Sequence, residues 1–184
     1  MIRKQLLVLL LLLLVVVFVF WVFYGLFSTF FRRDTSAMYV PSFDRHIRLM
    51  RDQLKLVSGK KLVDLWCGDG KAMRFFSRTF HVLCDGYEIQ HFPYVYGKLL
   101  NRILGYPQLR LFKKNFLQAD IHVYDYIYVY LLPEQMAAIE DWIFSHIKND
   151  AIIISNSFQF AKHKPYDTIP NKHGKPSIFL YRKS

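Results

Sequence analysis

The stretch Lys61-Leu62-Val63-Asp64-Leu65-Trp66-Cys67-Gly68-Asp69-Gly70 decides the fold, because a short apolar run leads directly into a glycine turn. Gly68 and Gly70 allow the backbone to bend sharply and allow a ligand to approach it closely, since neither carries a Cβ. Helix-forming residues follow at 71–76. The N–H groups at the start of that helix would point at anything bound on the turn. The stretch therefore predicts a strand, a turn and a helix arranged around a ligand.

A second strand and an acidic residue complete this pattern. Residues 81–84 predict the strand, and Glu88 follows the turn at roughly the 20-residue distance where doubly wound α/β folds place the acceptor for ribose hydroxyls. Strand, turn, helix, strand and acid together indicate a nucleoside-binding half-domain. Simpler interpretations remain open, since Glu88 also fits an ordinary acid at a strand end and Asp69 also fits a cap for the following helix.

The N-terminal part of the chain differs in composition from the rest. Residues 6–27 carry no charge and are nearly all Leu, Val and Phe. About 20 apolar residues span a bilayer as a helix, whereas a cleavable signal has a shorter apolar region ending at a small-residue site, which residues 28–31 do not provide. The run predicts an uncleaved, single-pass membrane anchor in contact with lipid. Positive charge is greater on its C-terminal side, so the domain is expected to face the cytoplasm.

The formal charge of +11 raises the question of a nucleic-acid partner. Much of the excess flanks the anchor or lies in residues 162–183, and basic residues beside a span suit an anionic leaflet. The sequence has no RNP-type aromatic motif and no zinc finger, which argues against nucleic acid as a partner. Cys67 and Cys84 have no further ligand at metal-binding spacing, so no metal is predicted and both are expected to be reduced thiols.

After the anchor, predicted helices and strands alternate. An amphipathic helix at 43–57 would cover the sheet or lie on the membrane surface. Further helices are predicted at 94–104 and 134–147, with Pro133 in the first turn, strands at 109–112, 125–132 and 151–155, and an antiparallel hairpin from 166–169 and 177–181. This order predicts an α/β, Rossmann-like, mostly parallel seven-stranded sheet with helices on both faces and a C-terminal hairpin. The predicted domains are a membrane anchor at 1–33, a linker with the amphipathic helix at 34–58, and the Rossmann-like domain at 59–184.

Four segments carry a resemblance to a known family: residues 63–70, 86–88, 115–125 and 130–136. They resemble class I S-adenosylmethionine-dependent methyltransferases. Within that class the chain is similar to the small membrane-anchored lysine methyltransferases related to the ATP synthase c-subunit lysine N-methyltransferase, over about residues 41–184. The resemblance implies S-adenosylmethionine as cofactor and a lysine of a membrane or membrane-proximal protein as substrate.

The resemblance also implies roles for individual residues. Asp64 holds the turn and the methionine end of the cofactor, Glu88 accepts from the ribose hydroxyls with Ile89 beside it, and the positions beside the nucleoside and the adenine are Trp66, Cys67, Gly68, Asp69, Gly70, Asn115 and Phe116. Tyr130, Leu132 and Pro133 lie where the methyl group faces its acceptor, and the Tyr130 ring would favour a cation there. Asp120 or Glu134 could assist as a base, although each also fits a solvated acid.

The sequence departs from the family pattern at two points. Trp66 replaces the first glycine of the usual turn, although core packing also explains its presence, and little chain separates the fifth strand from the hairpin. Trp66 motivates an alternative function, a membrane-anchored scaffold that keeps the fold without the cofactor. A nucleic-acid methyltransferase is a further alternative, but the Asn/Asp-Pro-Pro-Tyr segment of base-amino methylation is absent. A dinucleotide oxidoreductase is weaker still, because the turn lacks the third glycine.

Overall fold

The computed structural model describes residues 2–31 and 44–183, which belong to two units, an N-terminal helix and an α/β unit. Helix α1 extends over Ile2–Phe31. Within it, Gln5–Gly25 has a mean hydropathy of 3.5 and no buried residue, so by length and composition it is able to cross a bilayer. The predicted domain boundary at 33/34 lies outside the described residues.

The α/β unit is built on one seven-stranded sheet in the order β3-β2-β1-β4-β5-β7-β6. Its strands are β1 Lys61–Asp64, β2 Leu83–Tyr87, β3 Arg110–Phe112, β4 Tyr126–Val129, β5 Ile152–Asn156, β6 Asp167–Pro170 and β7 Pro176–Arg182. The first five strands are parallel, and β7 pairs antiparallel with both β5 and β6. The predicted sheet and its closing hairpin are confirmed.

Within residues 44–183 the α/β unit also contains four helices and two short turns. They are α2 Asp44–Gln53, α3 Lys71–Phe80, α4 His91–Ile103 and α5 Pro133–His146, with 3₁₀ turns at Phe116–Gln118 and Ile121–Val123. Several predicted boundaries were wrong, among them the end of β4, which lies at Val129 and not at residue 132. Strand β2 begins at Leu83, because His81 takes a left-handed conformation with φ of 55° that ends α3. Helix α4 begins at His91, since Pro93 is tolerated in a first turn, and α2 ends at Gln53.

Apolar side chains cover both faces of the sheet, as parallel strands require. One cluster, on the α5 side, includes Val63, Ile127 and Ile143; the other includes Met50, Phe76 and Tyr128 on the α2 and α3 side. Met50 of α2 is fully buried. Of the two positions that the sequence left open for α2, on the sheet or on the membrane surface, the structure has the helix packed on the sheet.

The strand order creates a crevice at one edge of the sheet. The connection from β1 leads through α3 to β2 on one side, whereas the connection from β4 leads through α5 to β5 on the other. The helices that follow these two neighbouring strands consequently lie on opposite faces of the sheet. In open α/β sheets, ligands bind at the carboxyl ends of the strands at such a switch point.

Candidate active site

The predicted site residues meet at this crevice. The turn at 65–70 follows β1, Glu88 follows β2, Asn115 follows β3 and residues 130–133 follow β4. Because these strands are parallel neighbours, their carboxyl ends lie along the same edge. Segments far apart in sequence are thus brought together around the turn.

Glu88 is the residue that joins the first two segments. Its side chain is 2% exposed; Oε2 accepts from the Gly68 N–H at 3.0 Å and Oε1 from the Gln90 N–H at 2.7 Å. Burial raises the pKa of this carboxyl, while the N–H donors of Gln90, Gly68 and Ile89 oppose the rise. A carboxylate accepts about four hydrogen bonds, so both oxygens retain capacity for the vicinal hydroxyls of a ribose. The residues present therefore fit a nucleoside cofactor at this position.

Asp64, the last residue of β1, holds the start of the turn. Its Oδ1 accepts from the Trp66 N–H at 3.1 Å, and the side chain is 2% exposed. Burial raises the pKa of Asp64 to about 7; the bond from Trp66 opposes this rise, and the charges of Glu88 and Asp69 add to it. The neighbouring negative charges of Glu88 and Asp69 therefore disfavour ionisation of Asp64.

Cys67 contributes its backbone to the turn, whereas its side chain points into the core. The Cys67 N–H donates to the Tyr87 carbonyl at 3.0 Å. The side chain is buried against Gly86, where an added Cβ would lie 2.6 Å from the Cys67 Cβ and 2.8 Å from its sulfur. Burial raises the thiol pKa well above its ordinary value, which makes this cysteine a packing residue.

The indole of Trp66 belongs to the α5-side cluster. It is half-buried, and its ring centroid lies 5.7 Å from that of Phe116, which in turn lies 5.5 Å from that of Trp142. The indole Nε1 is buried and has no hydrogen-bond partner among residues 2–31 and 44–183. A buried unpaired donor costs about 1–3 kcal/mol. The large ring at the first-glycine position is thus accommodated by packing against Phe116.

A buried polar network that the sequence did not reveal holds the turn against α4. The Arg74 guanidinium donates to the Asp69 carbonyl at 2.6 Å, to Asp69 Oδ2 at 2.9 Å and to Asn101 Oδ1 at 2.7 Å. Gly97 of α4 lies against the turn, and a Cβ at this glycine would lie 2.7 Å from the Asp69 carbonyl oxygen. We call Asp69, Arg74, Gly97 and Asn101 the loop clamp. Asp69 also accepts from the Lys71 N–H at 3.1 Å, so it is both a helix cap and a clamp residue.

The residues after β3 shape the far side of the crevice. Asn115 Oδ1 accepts from the Leu117 N–H at 3.0 Å and Asp120 Oδ1 from the His122 N–H at 3.2 Å, so each caps a 3₁₀ turn. Phe116 is buried. Asn115, predicted to lie beside the adenine, therefore uses its side-chain oxygen for one local bond, and Asp120 acts as a cap.

The residues after β4 alternate between the two faces of the sheet. Tyr130 packs against the α2 and α3 side, and Leu131 is buried on the α5 side. Leu132 and Pro133 are exposed at the start of α5, where the Leu132 N–H donates to Gln135 Oε1 at 3.2 Å. A tyrosine ring and two apolar residues therefore lie beside the crevice.

Taken together, the strand order, the closing hairpin and the acid-anchored turn are those of a class I methyltransferase, the class that uses S-adenosylmethionine. Residues 64–167 match the model of the ANTKMT methyltransferase domain. The chain belongs to this family, which confirms the resemblance and the cofactor class predicted from the sequence.

Solved structures share the fold. An RNA methyltransferase from Salinibacter ruber, in complex with S-adenosyl-L-homocysteine, matches with a TM-score of 0.71 and 19% identity over 78% of this chain and 94% of that chain. The geranyl diphosphate C-methyltransferase of Streptomyces coelicolor A3(2) matches with a TM-score of 0.52 and 17% identity over 61% of this chain. This chain spans 44% of the length of that enzyme. None of the curated proteins matches this chain.

Proposed function

We propose that this chain binds S-adenosylmethionine at the turn after β1 and transfers its methyl group to a lysine side chain of a membrane or membrane-proximal protein. Glu88 carries the cofactor part of the proposal, because it is a buried carboxylate that already holds the turn and retains acceptor capacity at the switch point. Membership of the ANTKMT methyltransferase domain family supports the reaction.

The lysine part rests on the surroundings of the crevice after β4. When bound, the cofactor supplies a methyl group already activated by its sulfonium centre, so the protein contributes mainly positioning and exclusion of water. Tyr130 would present its ring to a cation. The apolar Leu132 and Pro133 would surround the acceptor amine, and desolvation favours the neutral amine that attacks. We propose these three residues as the acceptor side of the site.

The membrane part rests on the span Gln5–Gly25 in α1. Anchoring places the domain and a membrane protein substrate on the same surface, which raises their effective concentration. We propose a single-pass membrane location with the domain on the cytoplasmic side, as the charge distribution around the span favours.

The test uses the full chain in lipid nanodiscs. Calorimetric titration with S-adenosylmethionine should show one site. After incubation with membranes and total RNA and isotope-labelled cofactor, mass spectrometry should locate the label on lysine side chains of membrane proteins. Label in RNA instead would favour the nucleic-acid alternative, and cofactor binding without transfer to either fraction would contradict the lysine proposal.

Trp66 favours one second candidate, a scaffold without cofactor, because its indole replaces the usual glycine. A Trp66→Gly variant separates the two functions. If the indole excludes the cofactor, affinity appears only in the variant. The proposed enzyme binds with Trp66 in place, because that ring packs against Phe116.

A further inference from the structure

Helix α4 has an exposed apolar face that spans its whole length. Phe92, Val95, Tyr96, Leu99 and Ile103 are each between 46% and 69% exposed. Val95 and Tyr96 are adjacent, and the other steps from Phe92 to Ile103 are three or four residues, so the five form a single stripe along the helix. We call these five residues the α4 stripe. Phe92 and Tyr96 stack within it, with ring centroids 6.0 Å apart.

The opposite face of the same helix is committed to the domain. Pro93, Gly97 and Asn101 are buried, and the last two belong to the loop clamp. A helix whose inner face is already packed in the core does not need a second apolar face for folding. Contiguous exposed apolar surface of this kind marks an interaction site.

Cations border the α4 stripe. Lys98 and Arg102 are exposed on the same helix, and α4 contains no acidic residue. Lys113, also exposed, places its Nζ 2.9 Å from His91 Nδ1 at the start of the helix. An apolar stripe bordered by basic residues is the pattern of a helix lying in the plane of a membrane interface.

We propose that the α4 stripe docks the methyltransferase domain onto an anionic lipid surface, with Lys98 and Arg102 at the level of the headgroups. This surface is additional to the span in α1, and the proposal does not depend on the substrate. The charges decide between lipid and a second copy of the chain. Two copies facing each other would bring like charges together, whereas anionic headgroups complement them.

Docking would also affect the crevice, because α4 carries the α4 stripe on its outer face and contacts the turn with its inner face. Gln90, directly before α4, donates to Glu88, and the inner face of α4 holds the turn through Gly97 and Asn101. A helix resting on lipid through its outer face thus orients the crevice relative to the membrane surface.

The test measures lipid contact of α4 in the full chain, since the span alone would bring any variant to the membrane. Cysteine is introduced by Leu99→Cys in the α4 stripe, or by Thr168→Cys in β6 as the matched control. Thr168 is also exposed and lies on the last strand of the opposite sheet edge. Each variant carries an environment-sensitive fluorophore and is reconstituted into phosphatidylcholine vesicles with or without phosphatidylglycerol, containing doxyl-labelled lipid as quencher. The unsubstituted chain, labelled in parallel, corrects for reaction at Cys67 and Cys84.

Quenching of the Leu99 label but not the Thr168 label, enhanced by phosphatidylglycerol, is the expected result. Replacement by Lys98→Gln and Arg102→Gln should weaken the docking equilibrium by about fivefold per charge. Equal quenching of both labels, or no quenching of either, would overturn the proposal. So would energy transfer between Leu99 labels of two copies without lipid quenching, since this would identify a second chain as the occupant.

Discussion

Gly97→Ala tests whether the packing of α4 against the turn controls cofactor binding. A methyl group at this position would lie 2.7 Å from the Asp69 carbonyl oxygen, 2.8 Å from its carbon and 2.9 Å from Leu111 Cδ2. Two of these three neighbours are backbone atoms of the turn, which cannot rotate away as a side chain can. The turn must therefore move by several tenths of an ångström.

Two opposing effects set the magnitude. Alanine in a helix interior is about 1 kcal/mol more favourable than glycine, whereas overpacking a close contact costs about 1–3 kcal/mol. The free energy of unfolding should thus fall by about 0–2 kcal/mol. If a displaced turn costs the equivalent of about one hydrogen bond to the cofactor, about 0.5–1.5 kcal/mol, the dissociation constant should rise by up to about tenfold.

Calorimetry with S-adenosylmethionine and urea unfolding measure the two effects separately. Leu99→Ala is the control, because Leu99 lies on the outer face of the same helix and leucine and alanine have similar helix propensities. An unchanged dissociation constant together with a gain of about 1 kcal/mol in stability would refute the reasoning, since propensity alone predicts that outcome.

Three further predictions concern the acids and the indole. Because the folded protein holds the pKa of Asp64 near 7, it binds more protons than the unfolded chain between about pH 4 and pH 7, and stability is lost as pH rises through this window. Asp64→Asn should remove up to about 4 kcal/mol of this pH-dependent loss in the free energy of unfolding, measured by urea unfolding between about pH 4 and pH 7. The same pH dependence in the variant and the unsubstituted chain would contradict this prediction. Glu140 is fully buried and accepts from the N–H groups of residues 161–163 and from the His163 ring. Glu140→Gln should therefore lower the free energy of unfolding by about 2–4 kcal/mol, whereas the exposed Asp141→Asn should lower it by under about 1 kcal/mol. Equal losses in the two variants would show that the buried network adds nothing to stability. Trp66→Phe removes an unpaired buried donor and should leave thermal stability unchanged or raised. Trp66→Gly should lower the free energy of unfolding by about 2–4 kcal/mol. A phenylalanine variant as unstable as the glycine variant would mean that Nε1 has a partner.

The sheet was predictable because its signals are local. Apolar runs such as residues 152–154, bounded by turn residues, define strands whatever surrounds them, and alternation with helices then restricts the order of the sheet. The boundary errors arose where the backbone departs from propensity. The left-handed turn at His81 is an example, since nothing in its side chain requires that conformation.

The site was predictable only in outline. The turn and Glu88 follow from spacing, yet the bond from the Gly68 N–H to Glu88 depends on how β1 and β2 are paired. The loop clamp was missed because Arg74 and Asn101 lie on different helices and become partners only when α3 and α4 pack side by side. The position of the Trp66 ring likewise depends on Phe116, which follows a different strand.

The most direct test of the account compares S-adenosylmethionine binding by the full chain and by its Glu88→Gln variant in nanodiscs, with circular dichroism to confirm that both are folded. We expect one site in the unsubstituted chain and a dissociation constant raised by about 10- to 100-fold in the variant, because hydrogen bonds to a charged acceptor are each worth about 1.5–3 kcal/mol. Equal affinity in the two proteins, or no binding by the unsubstituted chain, would contradict it.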